Sequence, residues 1–370
     1  MARSYRPWLI GFFLVVIYAV PITQATVELA RGDRPRFLDL FTTPPKAANL
    51  RAFEQDLQHA SLFEAWARPW MQYIWYATLR NPGEKAVLGL DGWFFYKPDL
   101  RYLVEPYDGD GAFAAILSFH KQLAARGTHL IVIPVPGKPS VYPDRVSRRA
   151  DGGTGLSHTR RLIERLRGAG VETSDVLSTL EHWRTSDGAA APPYYLVRDT
   201  HWTGDTARKA AEAVAANVRA RGWYAGGSTD YTTKALWIHR RGDVVRMIDV
   251  PRLEETFPPE QVRCEQVLSK DGALYKDDPA SPVLVLGDSF LRIYETDEPR
   301  SAGFIAHLAR ELRTPVASIV NDGGASTLVR QQLARRPALL EGKKVVIWEF
   351  VERDIRFGTD GWQEVTLPSR

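Results

Sequence analysis

The chain has 370 residues, 44% hydrophobic and 25% charged, long enough for one large α/β domain or two smaller ones. A net charge of +4 without a long Lys/Arg block leaves no electrostatic footprint for nucleic acid. The lone cysteine, Cys264, excludes a disulfide within the chain and, with no CxxC or HxxxH spacing, a structural zinc site; it reads as a small buried residue.

The N-terminus, "MARSYRPWLIGFFLVVIYAVPITQAT", places Arg3 and Arg6 before an uncharged apolar run from Pro7 to about Val20. A spanning helix takes about 17–25 residues, which Pro7–Ala25 reaches. Thr23-Gln24-Ala25 offers a cleavage site, so residues 1–25 read as a signal peptide or a membrane anchor. The positive-inside rule keeps Arg3 and Arg6 in the cytoplasm and everything after about residue 26 outside it.

Residues 26–84 read as a helical, aromatic-rich lead-in, with apolar residues three and four apart in "LRAFEQDLQHASLFEAWARPWMQYIWYATLR". "AVLGLDGWFFY" reads as a hairpin turning at Asp91-Gly92. Helices and strands then alternate through residues 85–370. "AFAAILSFHKQLAARG" is an amphipathic helix stopped at Gly127, and "THLIVIPVP" a fully buried strand. "GLSHTRRLIERLRGAG" predicts another helix. A further one follows "THW", with Ala207, Ala210, Ala211, Val214 and Val218 on one face and Gly222 past its end. The alternation lapses between residues 223 and 262, which read as an excursion over the sheet. It resumes with strand "PVLVLG", helix "AGFIAHLAREL", strand "VASIV", helix "TLVRQQLARRPALL" and strand "KKVVIWEFV". Strands interleaved with helices make βαβ units: an α/β fold with a mainly parallel sheet flanked by helices.

Ligands of open α/β sheets bind beyond the carboxyl ends of the strands. Ser289 stands there, at the end of "PVLVLGDSF", in the layout of a nucleophile elbow and equally of a polar turn. A serine nucleophile needs a base and a group that orients the base. Among eight histidines, seven (His59, His120, His129, His158, His182, His239, His307) lie in amphipathic or charged runs. His201 differs: "YYLVRDTHWTGDTARKA" puts Asp199 two residues before it, at the junction of an apolar strand and a capped helix. On an extended segment that spacing points both side chains to one face. The same stretch also reads as a helix start capped by Asp199 and Thr200 or Thr203.

An exported α/β chain with "DTHW" and, later, "LGDSF" resembles the SGNH-hydrolase-like O-acetyltransferases of bacterial exopolysaccharide, the alginate O-acetyltransferase type. "DGWFFY" (91–96), "PGKPSVYPD" (136–144), "RRGDVVRMI" (240–248) and "VVIWEFVERD" (345–354) are similar too. The resemblance covers roughly residues 85–357 and leaves 26–80 unmatched. It implies an SGNH-hydrolase-like, flavodoxin-like sheet with permuted motif order, since ordinary SGNH hydrolases carry the serine motif first.

The resemblance further implies Ser289 as nucleophile, His201 as general base and Asp199 as its orienter, with Asp288 shaping the elbow through local N–H bonds. The Ser289 N–H is the natural first oxyanion donor; Asn321 or the Gly323-Gly324 backbone is a second candidate, although "VNDGGAS" is also an ordinary turn. Tyr294 and Arg292 are site candidates or surface helix residues, and Lys138 and Tyr142 are placed to line the cleft. Trp202 and Trp93 are expected beside the site, against a sugar or in the core.

The implied reaction passes acetyl through an acyl-serine to a polysaccharide hydroxyl, with no metal or diffusible cofactor. Acetyl-CoA is absent outside the cytoplasm, so the family implies a membrane O-acyltransferase partner and a periplasmic enzyme, held at the inner membrane or released after signal cleavage. Two alternatives stand beside it: a carbohydrate acetyl-esterase with the same three residues, and a non-catalytic polysaccharide-binding subunit of a secretion complex.

Overall fold

The computed structural model describes residues 6–42, 46–149, 157–188, 191–248, 253–358 and 361–368. Arg3 and the Gly155-Leu156 start of one predicted helix lie outside them. The chain forms two compact units, residues 1–81 with 249–252, and residues 82–248 with 253–370.

The first unit is helical. A helix over Arg6–Ala30 is followed by helices Ala47–Ala60 and Leu62–Leu79. Its stretch Pro7–Ala30, with mean hydropathy 2.0 over its most apolar window, is long and apolar enough to cross a membrane. Ser61 caps the helix Leu62–Leu79 by accepting from the Glu64 N–H at 3.2 Å.

The second unit opens on an antiparallel hairpin of β1 (Ala86–Leu88) and β2 (Phe94–Tyr96). Asp91 and Gly92 both take positive φ, 53° and 78°, and Trp93 N–H closes the turn on Leu90 O at 3.0 Å. Asp-Gly is a pair that tolerates this geometry, which is why it stands at the tip. Then come β3 (His129–Val135), β4 (Glu172–Thr173), β5 (Tyr231–Arg240), β6 (Glu260–Ser269), β7 (Val283–Gly287), β8 (Ala317–Val320) and β9 (Val345–Val351).

Strands β4-β3-β9-β7-β8 form one all-parallel sheet in that order. Counted from β7, the spatial order from the opposite edge is 2-1-3-4-5, the flavodoxin-like doubly wound arrangement. The permutation is therefore a property of the topology: the chain enters this sheet at its fourth strand and reaches the first one late. The switch point lies between β7 and β9, and Ser289 follows β7 directly.

Alternating side chains of the central strands feed two cores. Ile131, Ile133, Val283, Val285 and Ile347 face helices Gly204–Ala220 and Phe304–Leu312, while Leu130, Val132, Leu284, Trp348 and Phe350 face helices Asp110–Ala124 and Leu328–Ala334. A strand buried on both faces has no polar alternation, hence the continuous apolar runs of the sequence.

Three elements differ from expectation. Between residues 223 and 262 the chain builds β5, and β6 runs on to Ser269; together they make an antiparallel ribbon outside the main sheet. Much of β5 is exposed, and its one apolar stretch, Ala235 to Ile238, is only four residues long. Helix Leu328–Ala334 stops early, because Pro337 begins a separate 3-10 turn. Finally, residues 197–201 are not a strand but a succession of bends between Tyr195 and Trp202, which form an isolated bridge.

Candidate active site

Strand β7 ends where Gly287 leaves no room for a side chain: a Cβ there would stand 2.4 Å from Glu349 Oε2 and 2.5 Å from a Leu291 methyl. Asp288 caps the single helical turn Ser289–Arg292, accepting from Phe290 N–H at 2.9 Å, and its second oxygen accepts from Val351 N–H at 3.2 Å. Asp288 thus ties the elbow across the switch point to β9. Ser289 is half-buried, and among the described residues its backbone N–H has no acceptor.

Behind the elbow lies Glu349, wholly buried in the middle of β9, whose Oε2 accepts from Asp288 N–H at 3.0 Å. Burial, then the neighbouring Asp288 charge, push its carboxyl well above the usual range, which favours the neutral form. Glu349→Gln, which keeps shape and acceptor, should unfold in urea close to the unaltered chain. Glu349→Ala strands the Asp288 N–H beside a cavity and should lose about 3 kcal/mol. Equal losses in both variants would count against the upward displacement of the Glu349 carboxyl.

The bends at 197–201 bring Asp199 and His201 together differently from an extended pair. Asp199 Oδ1 accepts from the His201 backbone N–H at 3.1 Å and from ring Nδ1–H at 2.6 Å. This local Asx-type turn aims the ring, so alternation along a strand plays no part. A carboxylate can only accept, which makes Nδ1 the donor and leaves Nε2 with the lone pair. Nε2 lies 2.8 Å from Ser289 Oγ, whose hydroxyl can donate to it. Helix capping falls to Thr203, which accepts from Thr206 N–H at 3.4 Å.

Asp199 is fully buried, and Oδ2 accepts from Arg240 Nε at 3.1 Å and from Asp243 N–H at 3.2 Å. Burial disfavours its charge, but His201, its hydrogen bond and Arg240 hold the carboxyl well below the usual range. His201 is displaced upward: burial works against its charge, and Asp199 outweighs it. Asp243 takes Thr200 N–H at 2.7 Å and Thr200 Oγ1 at 2.5 Å. Asp199, His201 and Asp243 offer ligand-type atoms within 4.8 Å of one another. With a guanidinium on one Asp199 oxygen and both Asp243 oxygens accepting from Thr200, this cluster suits hydrogen bonding better than a cation.

Lys138, expected at the cleft wall, is instead buried beneath it. Its Nζ donates to Leu196 O at 3.0 Å, Val197 O at 2.9 Å and Asp199 O at 2.7 Å. Burial pushes the ammonium down to about 8, against the pull of Asp199 first and of Asp243, Glu260 and Asp99. Tyr142 also serves the scaffold: its hydroxyl accepts from Tyr194 N–H at 2.8 Å. Tyr294 is buried rather than a surface helix residue, donating to Trp202 O at 3.2 Å. Trp202 is a correction to the sugar-contact expectation, for it is fully buried and packs edge-on to Phe290 at 5.2 Å. Trp93 is likewise core. Arg292 pairs with Asp297 and, at 2.9 Å, with Asp322 on the wall of a cavity of about 380 Å³. Asn321 continues β8 beside the elbow, donating its N–H to Gly287 O at 3.0 Å. Gly324 N–H closes back on Asn321 O at 3.0 Å around Gly323, whose φ is 67°, so the stretch is a true turn next to Ser289's strand.

Arg240, Asp243 and Glu349 carried no assigned role in the sequence. Glu349 left one legible signal, a single carboxyl inside an apolar strand. Arg240 and Asp243 stand 41 and 44 residues from Asp199, with nothing local to link them.

A family model described as the SGNH hydrolase-like domain of acetyltransferase AlgX matches residues 86–352, well over half of the chain. The chain belongs to the AlgX family of SGNH hydrolase-like domains. Probable alginate O-acetylase AlgJ of Pseudomonas fluorescens is 24% identical over 363 residues, covering 95% of this chain and 88% of that protein. The AlgJ of Pseudomonas aeruginosa is 22% identical over 299 residues, 76% of this chain and 74% of the relative. Among solved structures, the O-acetyltransferase domain of Pseudomonas putida AlgJ superposes with TM-score 0.60 at 23% identity, covering 74% of this chain and 92% of that one. Pseudomonas aeruginosa AlgX gives TM-score 0.55 at 19% identity over 72% of this chain and 62% of its own. At these identities the two structures speak for the fold.

Proposed function

We propose that this chain is an O-acetyltransferase that works through an acyl-Ser289 and delivers acetyl to hydroxyls of an alginate-like exopolysaccharide in the periplasm. The observation that carries the reading is the 2.8 Å approach of Ser289 Oγ to His201 Nε2, with Asp199 behind the ring, inside an AlgX-family domain. His201 takes the Oγ proton as Oγ bonds the acetyl carbonyl carbon; the proton then goes to the departing donor alcohol. A sugar hydroxyl attacks the acetyl-serine, His201 accepts its proton, and the proton returns to Oγ as the ester leaves. The open Ser289 N–H faces the oxyanion role, with the side-chain amide of Asn321 as second donor, since its backbone N–H is taken by Gly287 O. Lys138, Arg240 and Asp243 keep Asp199 fixed behind the ring. The polysaccharide acceptor follows the AlgJ relatives, named alginate O-acetylases. The donor partner is a membrane O-acyltransferase, since acetyl-CoA does not reach the periplasm.

The test is a chromogenic acetyl ester with mass spectrometry of the Ser289 peptide, where an adduct of about 42 Da is the expected acyl-enzyme. His201 must be neutral to act, and its pKa is raised, so it stays protonated to higher pH than an ordinary histidine. Adduct formation should fall as pH drops through a midpoint above 6.5. Oligosaccharide acceptors then separate transfer from hydrolysis. A folded protein with no adduct at any pH would refute the reading.

A further inference from the structure

The helix Leu62–Leu79 presents a face that the acetyl-transfer reading does not use. Phe63, Trp66, Trp70, Tyr73 and Ile74 recur three and four residues apart on one stripe, each between 44% and 67% exposed. Glu64, Arg68 and Gln72, four apart, run along another side, with Glu64 and Arg68 paired at 3.4 Å. Two tryptophans and a tyrosine on an unpaired stripe are the side chains that settle at a bilayer's polar boundary, apolar body inward and polar edge in water.

The beginning of this helix is tied to a defined depth. The first charged residue after Arg6 is Glu28, and about 20 residues of helix cross a hydrocarbon core. A span starting at Pro7 therefore surfaces near Gln24 and Glu28. There Gln24 donates to Glu28 at 2.8 Å, Glu28 accepts from Arg36 N–H at 3.0 Å, and Leu62 N–H donates to Gln24 Oε1 at 3.0 Å. This polar knot, where the span meets water, fastens the first turn of the aromatic helix. The three polar residues along its other side bar it from being a second span.

We infer that the helix Leu62–Leu79 lies in the membrane–water interface, its Phe63–Trp66–Trp70–Tyr73–Ile74 stripe set into lipid, as a second attachment beside the N-terminal span. The occupant is the phospholipid bilayer itself. The inference is independent of the acetyl-transfer reading and requires only that residues 1–25 be retained.

The test uses the full chain in vesicles of phosphatidylethanolamine and phosphatidylglycerol, with an environment-sensitive fluorophore on W70C, Y73C or R68C. Cys264 is buried, its thiol pushed up to about 12, so the introduced cysteine takes the label. Lipids brominated along the acyl chains should quench W70C and Y73C several-fold more than R68C. Two stripe positions guard against one variant folding poorly. Equal, weak quenching at all three would overturn the inference. So would shielding of W70C in native membranes but not in protein-free vesicles, an outcome that assigns the stripe to a protein partner.

Discussion

Ser289→Ala and His201→Ala are expected to abolish adduct formation and lower acetyl transfer by about four to six orders of magnitude, with the fold intact. Each loss should nearly equal that of the double variant, because a nucleophile and its base act as one unit. Ser289 is half-buried at a helix start, and alanine there removes a hydroxyl whose one bond runs to His201. Thermal unfolding of Ser289→Ala should therefore stay near that of the unaltered chain. Polymer acetylation surviving in Ser289→Ala would point instead to a binding subunit.

Lys138→Met should be the most damaging change outside those residues. The ammonium is buried and is the shared donor for three carbonyls of the loop that carries Asp199, and it lies 5.6 Å from the Trp93 ring centre and 5.2 Å from that of Phe95. Methionine fills similar space but leaves those carbonyls without the donor, a loss on the order of 3–5 kcal/mol. Lys138 touches no reacting atom in the proposed chemistry, so it is a positioning residue. A purely structural role would lower Tm alone. A positioning role should also lose the far-downfield proton resonance of the 2.6 Å His201–Asp199 bond and cut kcat more than KM. Retention of that resonance with full kcat in the folded fraction would sink the positioning role.

Much of the fold is legible in local pattern. Fully apolar "IVIPV" and "VLVLG" belong to strands covered on both faces, and the alanine stripe from Ala207 to Val218 to a helix packed against the sheet. The β5–β6 ribbon was not legible, since β5 is largely exposed over its first half and shows only a four-residue apolar stretch, Ala235 to Ile238. Trp202 illustrates a different gap: sequence places it next to His201, and only the packing of Phe290 and Phe304 around it decides that it faces the core.

A parallel α/β domain and an apolar N-terminal helix are legible in the residue pattern, which also offers an elbow at Gly287-Asp288-Ser289 and an Asp199–His201 pair beside the readings of a polar turn and a helix cap. Each of these is written in residues within a few positions of one another, where period, turn chemistry and spacing act. What surrounds the pair depends on long-range packing. Arg240 with Asp243, and the Lys138 ammonium, converge on the Asp199 loop from two distant segments, and Glu349 backs the elbow from a neighbouring strand. The 2-1-3-4-5 order that makes β7 and β9 neighbours is equally non-local. A buried carboxylate is stable only where donors from elsewhere in the chain meet its oxygens, and that meeting is set by how strands are ordered in space.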